Sequence, residues 1–320
     1  MDERVQIALG RNTPDWRLRN ACSPCTYELT GEPKLKYRML YTADGNESLR
    51  RIYRHEPEVK NPDEDAEMED TAPKPAKSSE STDTRQVGKG TYLTRAQVDC
   101  WAAEMLASFC PERNEDHDGN PCAGRWKNMK ADLTAKMWGM FEETGLFLAL
   151  CRHGFVLILA DMVRSGELWV FCFYFAAHHA DGLFISSKYP FAIVAKMLDV
   201  FGEDLALGYD IGCRFETTLK NSPLSEDVQR KNHRCLVGAF HGHAHNRLCQ
   251  SQFLATYVEG LGIEDLEGCE RFFAKSNALA ASTRHASVFH RRQAIYEYAT
   301  YHGKFETYQN LSKHRTLSNI

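Results

Sequence analysis

Hydrophobic and polar positions change period several times along this chain, and each change marks an element. In KLKYRMLYTADGN, Tyr37, Met39, Tyr41 and Ala43 alternate with other residues before Asp44-Gly45-Asn46. This predicts a half-buried strand that ends at an acid and runs into a turn. Thr94 and Gln97 stand in capping-box spacing ahead of Val98, Trp101, Ala102, Met105 and Leu106, a helical apolar stripe. After a polar loop at about 112–123, Trp126, Met129, Leu133 and Met137 predict a second helical segment. GLFLALCRHGFVLILADMV then gives two apolar runs split by Arg152-His153-Gly154, which predicts a hairpin.

Pro190 opens PFAIVAKMLDVFG, where Phe191, Val194, Ala195 and Leu198 share a helical face. LALGYDIGC reads as a short strand that again ends in an acid, Asp210, and CLVGAF (Cys235 to Phe240) as another strand. HAHNRLCQSQFLATYVEG looks helical. A loop from Gly260 to Gly268 precedes a helix in EGCERFFAKSNALA, and the chain is helical again from Phe289. No internal repeat is visible.

The order of the acids carries the argument further. A strand ending in Asp44, a hairpin, a helix, a strand ending in Asp210, another strand and a helix with Glu267 and Glu270 match a ribonuclease-H-like core. In such a mixed sheet the first and fourth strands are neighbours, so their terminal carboxylates converge and a late helix adds a third. Clustered carboxylates repel unless cations lie between them, and hard oxygen ligands favour Mg²⁺ or Mn²⁺. The expected class is therefore α/β, a ribonuclease-H-like mixed sheet with flanking helices. It is interrupted by a helical insert and an acidic stretch.

Composition divides the chain. EPEVKNPDEDAEMEDTAPKPAKSSESTDTRQVGK, from Glu56 to Lys89, is rich in Pro, Ser and acids, and is expected to be disordered. Residues 1–55 form an N-terminal segment with the first strand, 56–90 an acidic linker, 91–140 a helical insert and 141–320 the rest of the core. The whole has 320 residues with 43% hydrophobic and 26% charged, an ordinary globular balance. The net charge of −4 gives no global basic signature, so any nucleic-acid contact rests on local Lys/Arg clusters. The longest apolar run, Leu168 to Ala177, is too short to cross a bilayer, and no membrane partner is expected.

The 11 cysteines are odd in number and follow no visible secretion signal, so reduced thiols are expected. His241, His245 and Cys249 recur every four residues, a row that could ligate zinc with Cys213 or Cys235 as a fourth ligand. The same row equally suits partly buried imidazoles beside a thiol. Cys22 and Cys25 form a CxxC pair, half of a zinc knuckle or a remnant of one, which Cys110 or Cys122 could complete. Arg284, His285, His290, Arg291 and Arg292 make a basic cluster near the glutamate helix, suited to DNA phosphates or to a solvated helix face.

ACSPC, MLYTADGNESLRR, CAGRWKNM, EETGLFLALCRHGFVLILADMVRSGE, KYPFAIVAKMLDVFG, GYDIGCRF, VGAFHGHAHNRLCQ and GIEDLEGCERFFAKSNALAASTRHASVFHRRQAI occur in that order. Together they resemble the Kyakuja–Dileera–Zisupton (KDZ) transposases of fungal mobile elements. The resemblance implies a DDE-type recombinase that cleaves and transfers DNA strands at the ends of its own element, in the nucleus, with possible homo-oligomers. It implies Asp44 and Asp210 as the first two metal-binding acids and Glu270, or Glu267, as the third, with Asp44 bridging two Mg²⁺ ions. Such ions would activate water against a phosphodiester, stabilise the leaving oxygen and then employ the freed 3′-hydroxyl.

Departures accompany the likeness. Family members are longer at both ends, and WVFCFYFAAHHADGLFISS stands where they run almost directly on, which suggests a retained intron at about 168–187. Glu142 replaces a common Asp, and Ala274-Lys275-Ser276 an aromatic-Ser pair. The expectation is a truncated, degenerate copy whose activity is doubtful. The rival readings are a non-catalytic, zinc-stabilised DNA- or protein-binding module, and a reading frame that yields no stable protein.

Overall fold

The computed structural model describes residues 3–52, 85–108, 140–163 and 188–317. Most of the acidic stretch, the segment from Trp126 to Met137, the apolar insert at 168–187, Cys110 and Cys122 lie outside these described residues.

Among the described residues, six strands form one mixed sheet: β1 (Met39–Asn46), β2 (Arg51–Ile52), β3 (Phe141–Cys151), β4 (Val156–Val163), β5 (Leu205–Gly208) and β6 (Arg234–Leu236). The long strands run in the order β4, β3, β1, β5, β6. β3 is antiparallel to both β1 and β4, whereas β1, β5 and β6 are mutually parallel. Glu143 pairs Val163 on one edge of β3 and Arg51 on the other, so β2 continues along the β1 side.

The helices are α1 (Glu3–Ala8), α2 (Trp16–Arg19), α3 (Ser23–Thr26), α4 (Arg95–Ser108), α5 (Lys188–Phe201), α6 (Gly212–Lys220), α7 (Ser225–Arg230), α8 (Arg247–Phe253), α9 (Gly268–Ser276), α10 (Ala280–Thr283) and α11 (Val288–Leu317). The capping box of α4 forms reciprocally: Thr94 N–H donates to Gln97 Oε1 at 2.8 Å and Gln97 N–H to Thr94 Oγ1 at 3.2 Å.

Period-2 alternation sends Met39, Tyr41 and Ala43 to one face of β1, where they join Phe147, Phe191 of α5 and Phe215 of α6. Leu40 faces the other way, with Ala206, Leu236 and Leu266. Along that second face Leu146, Leu148 and Leu150 meet Phe272 and Phe273 of α9 and Ile295 of α11. β1 is thus buried on both faces over Met39–Ala43, not on one as its alternation suggested. Leu146–Cys151 of β3 and Val156–Ala160 of β4 are apolar without alternation for the same reason. Each large apolar side chain so enclosed contributes about 1.5–3 kcal/mol.

The rims of the sheet are covered. Thr91 and Leu93 exchange backbone hydrogen bonds with Leu159 on the outer side of β4, at 2.9 and 2.8 Å. Beyond β6, Val237 N–H donates to Phe253 and Ala255 N–H returns to Val237.

Candidate functional site

β1 and β5 are adjacent and parallel, with Thr42 opposite Gly208, so both chains leave the sheet at the same end. Asp44 lies on β1 two residues past Thr42, and Asp210 lies two past Gly208 in the turn that follows β5, so both acids reach the same end of the strand pair. Asp44 shares the face of Leu40 and Thr42, the face that α9 covers. There Cys269 donates to Thr42 Oγ1 at 3.3 Å, and Leu266 occupies the space over Gly208 where a side chain would stand.

The result is a small cleft lined by Thr42, Asp44, Asp210, His241, Glu267 and Glu270, among others. Asp44 Oδ1 accepts from the Gly45 amide at 2.8 Å, and Asp210 Oδ1 from the Ile211 amide at 2.7 Å. Glu267, the residue before α9, accepts from the amides of Phe240 at 2.8 Å and His241 at 3.4 Å. His241 Nε2 lies 3.2 Å from Glu270 Oε1 and 3.7 Å from Glu267 Oε2. Glu270 is the exposed member of the pair. The Asp265 carboxylate, held by both Arg271 nitrogens at 2.7 and 3.0 Å, fixes the loop ahead of the helix.

Burial raises the Asp210 carboxyl above the usual carboxylate range, against the Ile211 amide and the imidazoles of His241 and His245, and nearby Glu270 adds to the rise. Glu267 is likewise raised by burial, opposed by the Phe240 amide and His241. A donor set of neighbouring carboxylates, with Asp210 and Glu267 desolvated, fits hard divalent cations. The carboxylates line the cleft more loosely than the two Cys/His groups described next, whose ligand atoms all fall within 4.8 Å of one another.

His241 is a correction. It was expected in a row with His245 and Cys249, but it faces the acids. The cause is local: His241–Ala244 is a 3-10 turn, His245 is extended, and α8 starts only after Asn246, whose side chain accepts from Cys249 N–H at 2.8 Å. The four-residue spacing therefore spans a break in the helix. His245 and Cys249 do converge, with Cys213 rather than Cys235 beside them. His245 Nδ1 lies 3.3 Å from Cys249 Sγ and 3.5 Å from Cys213 Sγ. His245 Nε2 lies 2.9 Å from the Asp210 carbonyl and donates to it, so this buried group sits directly behind one acid of the cleft.

A second group was only half visible in the sequence. The partners beside Cys22 and Cys25 are Cys151, at the end of β3, and His153, in the hairpin turn. Their signal was the Cys-x-His spacing at the very turn that splits the two apolar runs. Both groups could hold a metal such as zinc.

The basic cluster separates. Arg284, His285 and His290 are exposed. Arg291 is not available to a phosphate: it is 0% exposed and donates to Leu49 O at 2.8 and 3.1 Å, to Gly145 O at 3.0 Å and to Asp161. Arg292 is half-buried, bonded to the other Asp161 oxygen at 2.6 Å. An acid inside the apolar run ILADMV draws both guanidinium groups inward.

This is a mixed α/β protein whose cleft gathers carboxylates at two neighbouring strand ends. The family model for the Kyakuja-Dileera-Zisupton (KDZ) transposase matches residues 37–184 and 185–303, and the chain belongs to that family. Comparisons with curated proteins and with solved structures found no match. Among the described residues, no helix is long and apolar enough to cross a membrane.

Proposed function

We propose that this chain is the catalytic core of a DDE-type transposase with a ribonuclease-H-like sheet, and that it cleaves and joins DNA strands at the ends of a mobile element. The observation that carries this reading is the meeting of Asp44, Asp210, Glu267 and Glu270 in one cleft, in a family named for transposition. Strand order supports the fold: of the five longer strands, the first and fourth are neighbours and the second alone is reversed.

Asp44, Asp210 and Glu270 would hold divalent ions, Mg²⁺ or Mn²⁺. Such ions supply activation of the attacking oxygen and charge stabilisation for the leaving one. Glu267 is already bound by two backbone amides, so its part is to anchor the turn before His241. His241 in turn orients the Glu270 carboxylate through a 3.2 Å contact. Burial of Asp210 and Glu267 disfavours their charged forms, and a divalent cation in the cleft would oppose that effect. For DNA, the open groove lined by Arg50, Asn277 and Arg284 begins beside Asn46, at the end of β1, and suits a backbone that approaches the cleft. Work on chromosomal DNA places the protein in the nucleus.

The test is Mg²⁺- or Mn²⁺-dependent nicking of DNA that carries candidate terminal repeats. Asp44→Asn, Asp210→Asn and Glu270→Gln are expected to fall to background, and Glu267→Gln to retain part of the activity. Equal nicking by wild type and Asp210→Asn would remove that residue from the mechanism. Binding of the same DNA with no cleavage under any metal would favour a zinc-stabilised binding module, a reading that rests on the two buried Cys/His groups.

A further inference from the structure

We propose that Cys22, Cys25, Cys151 and His153 form a structural zinc site that clasps the segment before the family-matched region onto the β3–β4 hairpin. The site stands apart from the cleft and from the DNA-cleaving role. Its residues are the donors of a closed Cys₃His site, and all four ligand atoms lie within 4.8 Å of one another. His153 Nδ1 is 3.4 Å from Cys22 Sγ and 3.2 Å from Cys25 Sγ. A tetrahedron with zinc–sulfur bonds near 2.3 Å and zinc–nitrogen bonds of about 2.0–2.1 Å has sulfur–nitrogen edges of roughly 3.5 Å. The three thiols are free.

Each half of the site is a tight turn with its own backbone closure. Cys22 precedes the single helical turn Ser23–Thr26, and Cys25 N–H donates to Cys22 O at 3.2 Å. On the hairpin, Gly154 N–H donates to Cys151 O at 2.8 Å, and Gly154 adopts a φ of 82° that favours glycine. Local backbone bonds thus shape both turns. Cys22 and Cys151 are almost fully enclosed, at 2% and 1% exposure.

The clasp has a physical purpose. The family match begins at residue 37, yet Leu18 and Cys22 are packed into the main core. Polar ties to this segment come from Arg17, which donates to the carbonyls of Gly90, Val156 and Leu157, from Asp15, bonded to Lys196 at 2.8 Å, and from Lys34, paired with Asp204 at 2.9 Å. An ion shared by ligands 128 and 131 residues apart closes a long loop and ties metal affinity to folding. Four protein ligands leave no open coordination position, so the role is structural. Placement agrees: Cys151 pairs with Tyr41 and Leu148 with Asp44, three residues or roughly 10 Å further along β1.

The experiment compares metal content of the full chain purified with a thiol reductant. Cys25→Ser and His153→Ala are each expected to hold one zinc equivalent less than wild type, while His153→Cys keeps wild-type zinc as a four-thiolate site. Cys249→Ser, which alters the other group, is expected to retain the N-terminal equivalent. Limited proteolysis should release the segment around residues 1–36 from Cys25→Ser and spare it in His153→Cys. Wild-type zinc in Cys25→Ser or His153→Ala, less than one equivalent in wild type, or a Cys22–Cys25 disulfide in the reduced protein would each overturn the site.

Discussion

A Cβ on Gly238 would stand 2.2 Å from Glu267 Oε1, inside the space the carboxylate needs to reach the amides of Phe240 and His241. Gly238→Ala is therefore expected to push Glu267 out, destabilise the protein by about 1–3 kcal/mol through overpacking, and depress nicking. Denaturant unfolding and the nicking assay read the two effects separately. Asp210 answers in the opposite direction. Its folded value is raised by burial, so the metal-free protein loses stability as pH rises from the ordinary carboxylate range through that value. Asp210→Asn should accordingly raise the metal-free Tm at neutral pH while it abolishes cleavage, and a lowered Tm would contradict the desolvation account. At this scale Asp44 and Asp210 were legible because each ends an apolar run. His241 and Arg291 were not: the break before Asn246 turns His241 out of the row and towards Glu270, and Arg291 is drawn in by Asp161, 130 positions away, so residue spacing alone reports neither partner.

Between elements, the buried Asp161 is the tie of β4 to α11, and Arg51 with Glu142 and Glu143 makes a similar bond between β2 and β3. Burial pushes the Asp161 carboxyl up, but Arg291 and Arg292 more than offset it and hold the group below the usual range. A depressed folded value gives stability that is present above the unfolded value and lost as pH falls through the folded one. Asp161→Asn should cost about 3–5 kcal/mol near neutral pH, since it strands a buried guanidinium, and should flatten the acid limb of the stability profile. Acid titration followed by circular dichroism checks both. The hairpin, the α5 start and the α4 cap were readable because turn and cap chemistry is local. The run predicted helical from His243 was misjudged because Asn246 restarts the helix, and β6 stops at Leu236, short of the expected Phe240.

For the molecule as a whole, ordered acids announced a cleft, but the pairing of β1 with β5 that brings them to one end of the sheet is a long-range register that no pattern in either strand encodes. The Cys/His partners of the N-terminal CxxC were hidden for the same reason. The parts outside the strands then gain importance. Leu159 and Val237 each make a single bridge to a segment outside the strands, one on either rim of the sheet. Open rims present unpaired backbone groups that invite intruding chains. These two short segments cover backbone groups at which another chain could pair, so a fragment trimmed past Leu93 is expected to self-associate more than the full chain, as light scattering would show.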